Sequence, residues 1–436
     1  MIVSLDWKEN ALCLLRMDWL AFVLQLLLLT TGVLFVRHAG MDYGGISSYR
    51  WVHQLLWIGL GLLVYFSCVL LDYRELAKKA GWIYLGGIVM LLLVLLVGKT
   101  VNGCRSVLSI WGMTLQVSEP MKPIVILFAS WLLSHPLLDY FRVPRELLWI
   151  GVVMLPVILI LLQPDCGTAL VYLPITFVIL FLNRLSWKWM LGLLLLGALL
   201  SPLCYQALRP YQKLRVFVCI RQPADILLVK MESRLPDASQ AIRNWLDGEI
   251  AALSEKRGTT QSRFSENGSV KPPPFQVRDD NAIDDWNARQ ALNSVGSGGA
   301  TGVGYGKGIQ HTLGFLPRYV APTDFIFSVI AEETGFVGCA LVLLCELGVI
   351  LLGCRTAFRS QDAIGSGIAL GGATLYATHL LVNVGMNVGW MPIIGIPLPF
   401  VSYGGSFMIG IMAMAGLMQS VHTHREPSPE GDSPRT

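Results

Sequence analysis

Apolar residues recur along this chain in runs long enough to cross a membrane. Such runs lie near 18–36, 51–71, 81–98, 120–137, 147–163, 166–183, 187–207, 325–352, 364–388 and 398–421. A crossing needs about 18–20 apolar residues at helical rise. The pattern predicts an all-α, polytopic transmembrane helix bundle of about ten spans. Seven fall within 1–207 and three within 324–421. The interval between them, 208–323, is polar and too long for a tight turn. Within it Pro236-Asp237 opens an amphipathic repeat through Ile242, Trp245, Leu246, Ile250 and Leu253, and Gly258–Pro274 is rich in Ser, Thr, Gly and Pro. The stretch 222–285 therefore reads as an insertion with a surface helix and a flexible linker. The end, 422–436, reads as a disordered tail.

Orientation follows from Lys and Arg in the short connections. With the N-terminus cytoplasmic, inside segments carry thirteen basic residues, among them Arg74, Lys78, Lys79, Arg355 and Arg359; short outside loops carry Arg37, Arg50, Lys99 and Arg105. Both termini are expected on the cytoplasmic side of the membrane, and 208–323 on the outer side. Residues 1–17 hold Asp6, Lys8, Glu9 and Arg16 with no small-residue cleavage site, so no cleaved signal is expected.

Composition adds exclusions. The chain is 54% hydrophobic and 14% charged, with a net charge of +4. Its basic residues are scattered, which argues against nucleic-acid binding. Nine cysteines occur without a CxxC pair, so neither a disulfide framework nor a protein metal site is expected.

The candidate chemistry sits at the junctions. Asp324, in Pro322-Thr323-Asp324-Phe325-Ile326-Phe327, lies where the polar interval meets an apolar run. It reads either as a helix cap or as a general base at the membrane surface. Glu119 and Lys122 are three residues apart, hence on one helix face, inside an apolar stretch where charge is costly. Glu332 and Glu333 follow Asp324 by two turns and read either as cavity-facing or as structurally paired. Asp165, in Gln163-Pro164-Asp165-Cys166-Gly167, reads as a turn-orienting residue. Glu346 is an acid among leucines without an assigned role. Two further stretches are distinctive: Gly296-Ser297-Gly298-Gly299 leading to Gly304-Tyr305-Gly306-Lys307-Gly308, and Gly395-Ile396-Pro397-Leu398-Pro399-Phe400-Val401-Ser402-Tyr403-Gly404-Gly405-Ser406. The glycines face outside and lack a βαβ frame, so they read as a turn-rich loop or an amide cradle for a phosphate or sugar.

Taken together and in this order, these stretches resemble the SEDS family of bacterial membrane glycosyltransferases, over nearly all of the chain outside 222–285 and the termini. Ala331-Glu332-Glu333 and the Ile-Pro-Leu-Pro-Phe run are more similar to its elongation members than to its division members. There are departures: Gly103-Cys104-Arg105-Ser106 lacks the family's Trp, and Arg318 stands where an acid is usual. The resemblance implies polymerisation of lipid II into glycan strands for cell elongation, with Asp324 as base on the acceptor GlcNAc 4-hydroxyl and polyprenyl diphosphate as leaving group. It implies substrate contacts at Glu119, Lys122, Arg215, Lys307 and Ser402, with Arg215 read equally as a headgroup anchor. A divalent cation, Mg or Mn, is compatible, with no protein ligands assigned. The implied partners are a class B penicillin-binding protein supplying the transpeptidase, the elongation machinery and membrane lipid. A lipid II flippase of the same pathway is the alternative function, and a pure scaffold a third.

Overall fold

The computed structural model describes residues 7–40, 49–101, 104–110, 113–134, 145–163, 165–182, 280–316 and 319–425, with scattered positions between 191 and 248. Most of the expected seventh span, most of the amphipathic repeat at 242–253 (its Ile242 and Trp245 are helical and exposed), the 258–274 linker, Arg215 and the tail beyond 425 lie outside the described residues.

The described helices are α1 Trp7–Leu15, α2 Trp19–Ala39, α3 Arg50–Leu70, α4 Tyr73–Val97, α5 Ser118–Ser134, α6 Arg145–Leu162, α7 Cys166–Leu182, α8 Asp280–Ser297, α9 Ile309–Thr312, α10 Ile326–Arg359, α11 Ala363–Asn387 and α12 Gly405–Thr423. By length and composition α2, α3, α4, α10 and α11 can each cross a membrane, and α6 and α7 contain shorter apolar segments. The chain is a multi-pass membrane protein. α12 reads less apolar because it lies inside the bundle, where nearly every residue is buried and Gly, Ser and Met replace bulky aliphatics.

Two features depart from the sequence reading. The third long helix begins at Tyr73, well before the apolar run at 81. The Asp72 carboxylate accepts the Arg74 N–H and starts it, so Arg74, Lys78 and Lys79 ride on the first turns of a helix. The fold is also not purely α. Strands β1 Lys99–Val101, β2 Cys104–Ile110 and β3 Met113–Gln116 form an antiparallel sheet in that order, with Val107 opposite Gln116 and Leu108 opposite Leu115. The alternation of β2 explains it: Ser106 and Leu108 are buried, while Val107 and Ser109 are half-buried.

Helix packing uses small residues as a membrane bundle must. α3 lies along α12, where a Cβ on Gly416 would sit 2.6 Å from the Tyr65 carbonyl oxygen. α10 packs on α2 and α11, and α5 is wedged between α4, α11 and α12. The connections sort to two ends. At one, Arg74 Nε donates to Asp362 Oδ2 at 2.8 Å and Gln419 Nε2 donates to the Asp18 carbonyl at 2.9 Å. The opposite end gathers the sheet, the α6–α7 turn, the start of α10 and the irregular segment 388–404.

α10 is interrupted at Gly335, with φ 64° and ψ −160°. A break inside a bilayer frees backbone groups that lipid cannot satisfy. The glycine-rich stretch supplies the partners. Val303 and Gly304 N–H donate to the Glu332 and Glu333 carbonyls at 2.9 and 3.0 Å. Phe336 and Val337 N–H donate to the Gly299 and Ala300 carbonyls at 2.9 and 3.1 Å. The backbones approach so closely that a Cβ on Gly298 would collide with the Ala331 carbonyl, and one on Gly302, at φ +78°, with that of Glu333. Gly302→Ala is therefore expected to lower stability by about 1–3 kcal/mol, read as a fall in the thermal midpoint of the detergent-solubilised protein.

Candidate active site

Asp324 sits in a turn built on one carbonyl: Val320 O accepts the N–H groups of Thr323, Asp324 and Phe325 at 3.2, 3.0 and 3.1 Å. Phe325 occupies the cap position of α10 and makes no side-chain capping bond of its own. Asp324, one residue earlier, is half-buried and lines a cavity. The turn is held from behind by amides on α11. Asn383 Nδ2 and Asn387 Nδ2 donate to the Asp324 carbonyl at 3.0 and 3.1 Å, and the Ser328 hydroxyl donates to Asn387 Oδ1 at 2.5 Å. Sequence reasoning missed these amides, although Asn383 and Asn387 are an i, i+4 polar pair in an apolar helix.

The segment before α12 forms the facing wall. Gly395 has φ +78°, and a Cβ there would lie 3.3 Å from Asp324 Oδ2. Only a glycine leaves the carboxylate that room. Ser402 is fully buried; its hydroxyl donates to the Thr323 carbonyl at 2.6 Å and accepts the Leu398 N–H at 2.8 Å. It fastens this segment to the Asp324 turn, and its neighbours Tyr403, Gly404, Gly405 and Ser406 line the cavity in its place. Gln54, buried on α3, donates to the Ser402 carbonyl at 3.2 Å.

Glu119 and Lys122, in the first turns of α5, are 7% and 2% exposed. Lys122 Nζ lies 2.9 and 2.8 Å from the two Glu119 oxygens and 3.1 Å from His379 Nε2. Glu119 lines the cavity and Lys122 lies behind it. The spacing in sequence revealed the pair but not His379. Asp165 accepts the Thr168 N–H and hydroxyl at 3.1 and 2.9 Å, capping α7, and accepts Gln116 Nε2 at 2.9 Å, tying the sheet to that turn. It also borders the cavity.

The remaining candidates lie elsewhere. Lys307 is exposed and is not among the residues lining the cavity. The amides of its loop are already committed: Glu332 accepts the Ile309 and Gln310 N–H groups at 2.6 and 3.0 Å, and Glu333 accepts that of Gly306 at 2.9 Å. His38 Nδ1 and His311 Nε2 flank Glu333 at 3.5 and 3.3 Å. Burial, then the Glu333 carboxylate, pushes the Tyr305 phenol up, and its hydroxyl donates to the Leu34 carbonyl at 3.2 Å. The glutamate pair therefore organises the glycine-rich loop. Glu346 is fully enclosed in α10 and is not among the residues lining the cavity.

The cavity measures about 1040 Å³. One wall is polar, carrying Gln116, Glu119, Asp165, Thr168, Asp324 and Ser406. The opposite wall is α3, where Leu55, Leu56, Leu60 and Leu63 are 46–65% exposed and so face lipid. Among the described residues no three His, Cys, Asp or Glu side chains cluster as a metal cage.

The site is thus a carboxylate-bearing pocket in a membrane protein, bordered by a helix long and apolar enough to cross the bilayer. Comparison with known proteins narrows this. The family model FTSW_RODA_SPOVE, described as cell cycle protein, matches residues 18–227 and 275–427. Peptidoglycan glycosyltransferase RodA of Treponema pallidum (strain Nichols) is 31% identical over 94% of this chain and 98% of its own. Peptidoglycan glycosyltransferase MrdB of Escherichia coli (strain K12) is 28% identical over 93% and 92%. A chain from a solved peptidoglycan synthase complex that coordinates polymerization and crosslinking superposes with a TM-score of 0.69 at 25% identity, covering 94% of this chain and 99% of that one. Rod shape determining protein RodA of Thermus thermophilus shares the fold, with a TM-score of 0.59 at 24% identity over 94% and 98%. The chain belongs to the FtsW, RodA and SpoVE family, the SEDS family whose resemblance its motifs carry.

Proposed function

We infer that this member of a peptidoglycan glycosyltransferase family polymerises lipid II in the Asp324 cavity. The observation that carries the reading is the meeting, in one space, of the half-buried Asp324 carboxylate and the exposed leucine face of α3. The tail of a polyprenyl-linked sugar stays in the bilayer along α3 while its head enters among the polar groups.

In the proposed step Asp324 accepts the proton of the acceptor GlcNAc 4-hydroxyl, a poor nucleophile until deprotonated. The hydroxyl oxygen then bonds to the anomeric carbon of the second glycan. The bond from that carbon to the phosphate oxygen breaks, and its electrons leave with the polyprenyl diphosphate. The leaving group departs already ionised, so no second carboxylate has to protonate it, unlike in glycoside hydrolysis. Asn383, Asn387, Gly395 and Ser402 hold the base in place, and Glu119 with Lys122 sets the charge of the cavity wall. Arg215 and Lys307 remain proposed cationic contacts, Lys307 to a part of the substrate beyond this wall. A divalent cation, where one acts, is expected to arrive on the diphosphate, and no step above passes through it.

By likeness to the synthase complex, a class B penicillin-binding protein is the proposed crosslinking partner, meeting α10, α11 and the outer segment, and cell elongation is the proposed setting. Two measurements test the reading. Purified protein with lipid II should yield glycan strands on a gel; transbilayer movement of lipid II without polymer would support the flippase instead. Lys307→Cys, in a background without other accessible thiols, should react with an impermeant reagent from outside the cell; labelling only from inside would place the base on the wrong face.

A further inference from the structure

We propose that His379 is a positioning residue for glycosyl transfer, joining the Lys122–Glu119 pair to the Gly395–Pro399 segment that shapes the space around Asp324. The inference rests on the reading that this cavity is where transfer occurs.

The imidazole is fully buried on α11. Its Nδ1 lies 3.0 Å from the Pro397 carbonyl, a group that only accepts, so Nδ1 carries the hydrogen. Nε2 is then the acceptor, 3.1 Å from Lys122 Nζ. This completes the lysine's coordination: its three N–H groups meet Glu119 Oε1, Glu119 Oε2 and His379 Nε2. The Phe407 ring lies against the imidazole at a centroid distance of 5.1 Å, which fixes its plane. Glu119, Pro397 and Phe407 all line the cavity. One neutral ring therefore ties α5 to the segment carrying Gly395, and through Gly395 to the space the base occupies. The two ring nitrogens have separate tasks, one for each wall.

That division makes the role separable. In His379→Gln the side-chain oxygen takes the place of Nε2 and still receives Lys122. In His379→Asn the side-chain nitrogen takes the place of Nδ1 and still reaches Pro397, but Lys122 loses its third acceptor. His379→Leu loses both. With full-length protein and lipid II, His379→Leu is expected to lower kcat about 100-fold, the scale of a small misplacement of reacting groups, with KM nearly unchanged. His379→Gln should recover most of that loss and His379→Asn little of it, at equal thermal midpoints. Unchanged kcat in His379→Leu, or equal kcat in the Gln and Asn variants, overturns the proposal. If His379→Leu does not fold, the Gln–Asn contrast decides alone. An independent readout separates this from the assignment of the base. In ¹⁵N-histidine-labelled protein the His379 Nε2 resonance should be that of an unprotonated acceptor, should move on Lys122→Met, and should persist in Asp324→Asn. A protonated Nε2 overturns the proposal whatever Asp324 does.

Discussion

Asp324→Asn is expected to cut strand polymerisation by about 10²–10⁴-fold, the contribution of a positioned general base. The substitution is nearly isosteric. What holds the turn is the backbone carbonyl of residue 324, which receives Asn383 and Asn387, and that carbonyl survives the change. The helix does not unravel either, because Phe325 rather than Asp324 stands at its cap. Folding and insertion should therefore be normal while chemistry is lost, and gel analysis of glycan strands from purified variant and lipid II reads the difference. A variant that makes strands at the original rate places the proton acceptor elsewhere.

Lys122→Met should be the most damaging change to stability in the cavity wall. It leaves the Glu119 carboxylate, 7% exposed, without its cation. Removing one partner of a buried pair costs about 3–5 kcal/mol because an uncompensated charge remains. The thermal midpoint should fall accordingly. Glu119→Gln combined with Lys122→Met should recover much of the loss, since the double variant buries no net charge. If the two losses simply add, the pair is not coupled and the cavity wall draws its stability from elsewhere.

The parts of this protein legible in its sequence are those whose signal is local. Apolar runs gave the long helices, because hydrocarbon demands a continuous stretch. The three-residue spacing of Glu119 and Lys122 gave the pair, because a helix turns once in that distance. Asp324 stood out as an acid at an apolar boundary. The residues that were missed act across chain separation. His379 meets Lys122 257 residues away, and Asn383 meets the Asp324 carbonyl 59 residues away; in sequence each is a single polar residue beside apolar ones. The stripe His379, Asn383, Asn387, at successive steps of four, was visible as a polar face within an apolar helix and could have pointed to α11 as a supporting wall. The small sheet was hidden because its strands, Lys99–Val101, Cys104–Ile110 and Met113–Gln116, fall in a short connection between two spans and are too brief for their alternation to stand out.

The break in α10 has a mechanical consequence. Drawn straight, its 34 residues would measure about 51 Å, well beyond the ~30 Å hydrocarbon core. The carbonyls just before Gly335 and the N–H groups just after it are both stapled to the glycine-rich stretch, and the helix beyond carries Phe336, Leu341, Leu344 and Leu351 outward. The break is thus a braced kink rather than a free pivot: it parts one long helix into two rods whose junction the glycine-rich stretch holds.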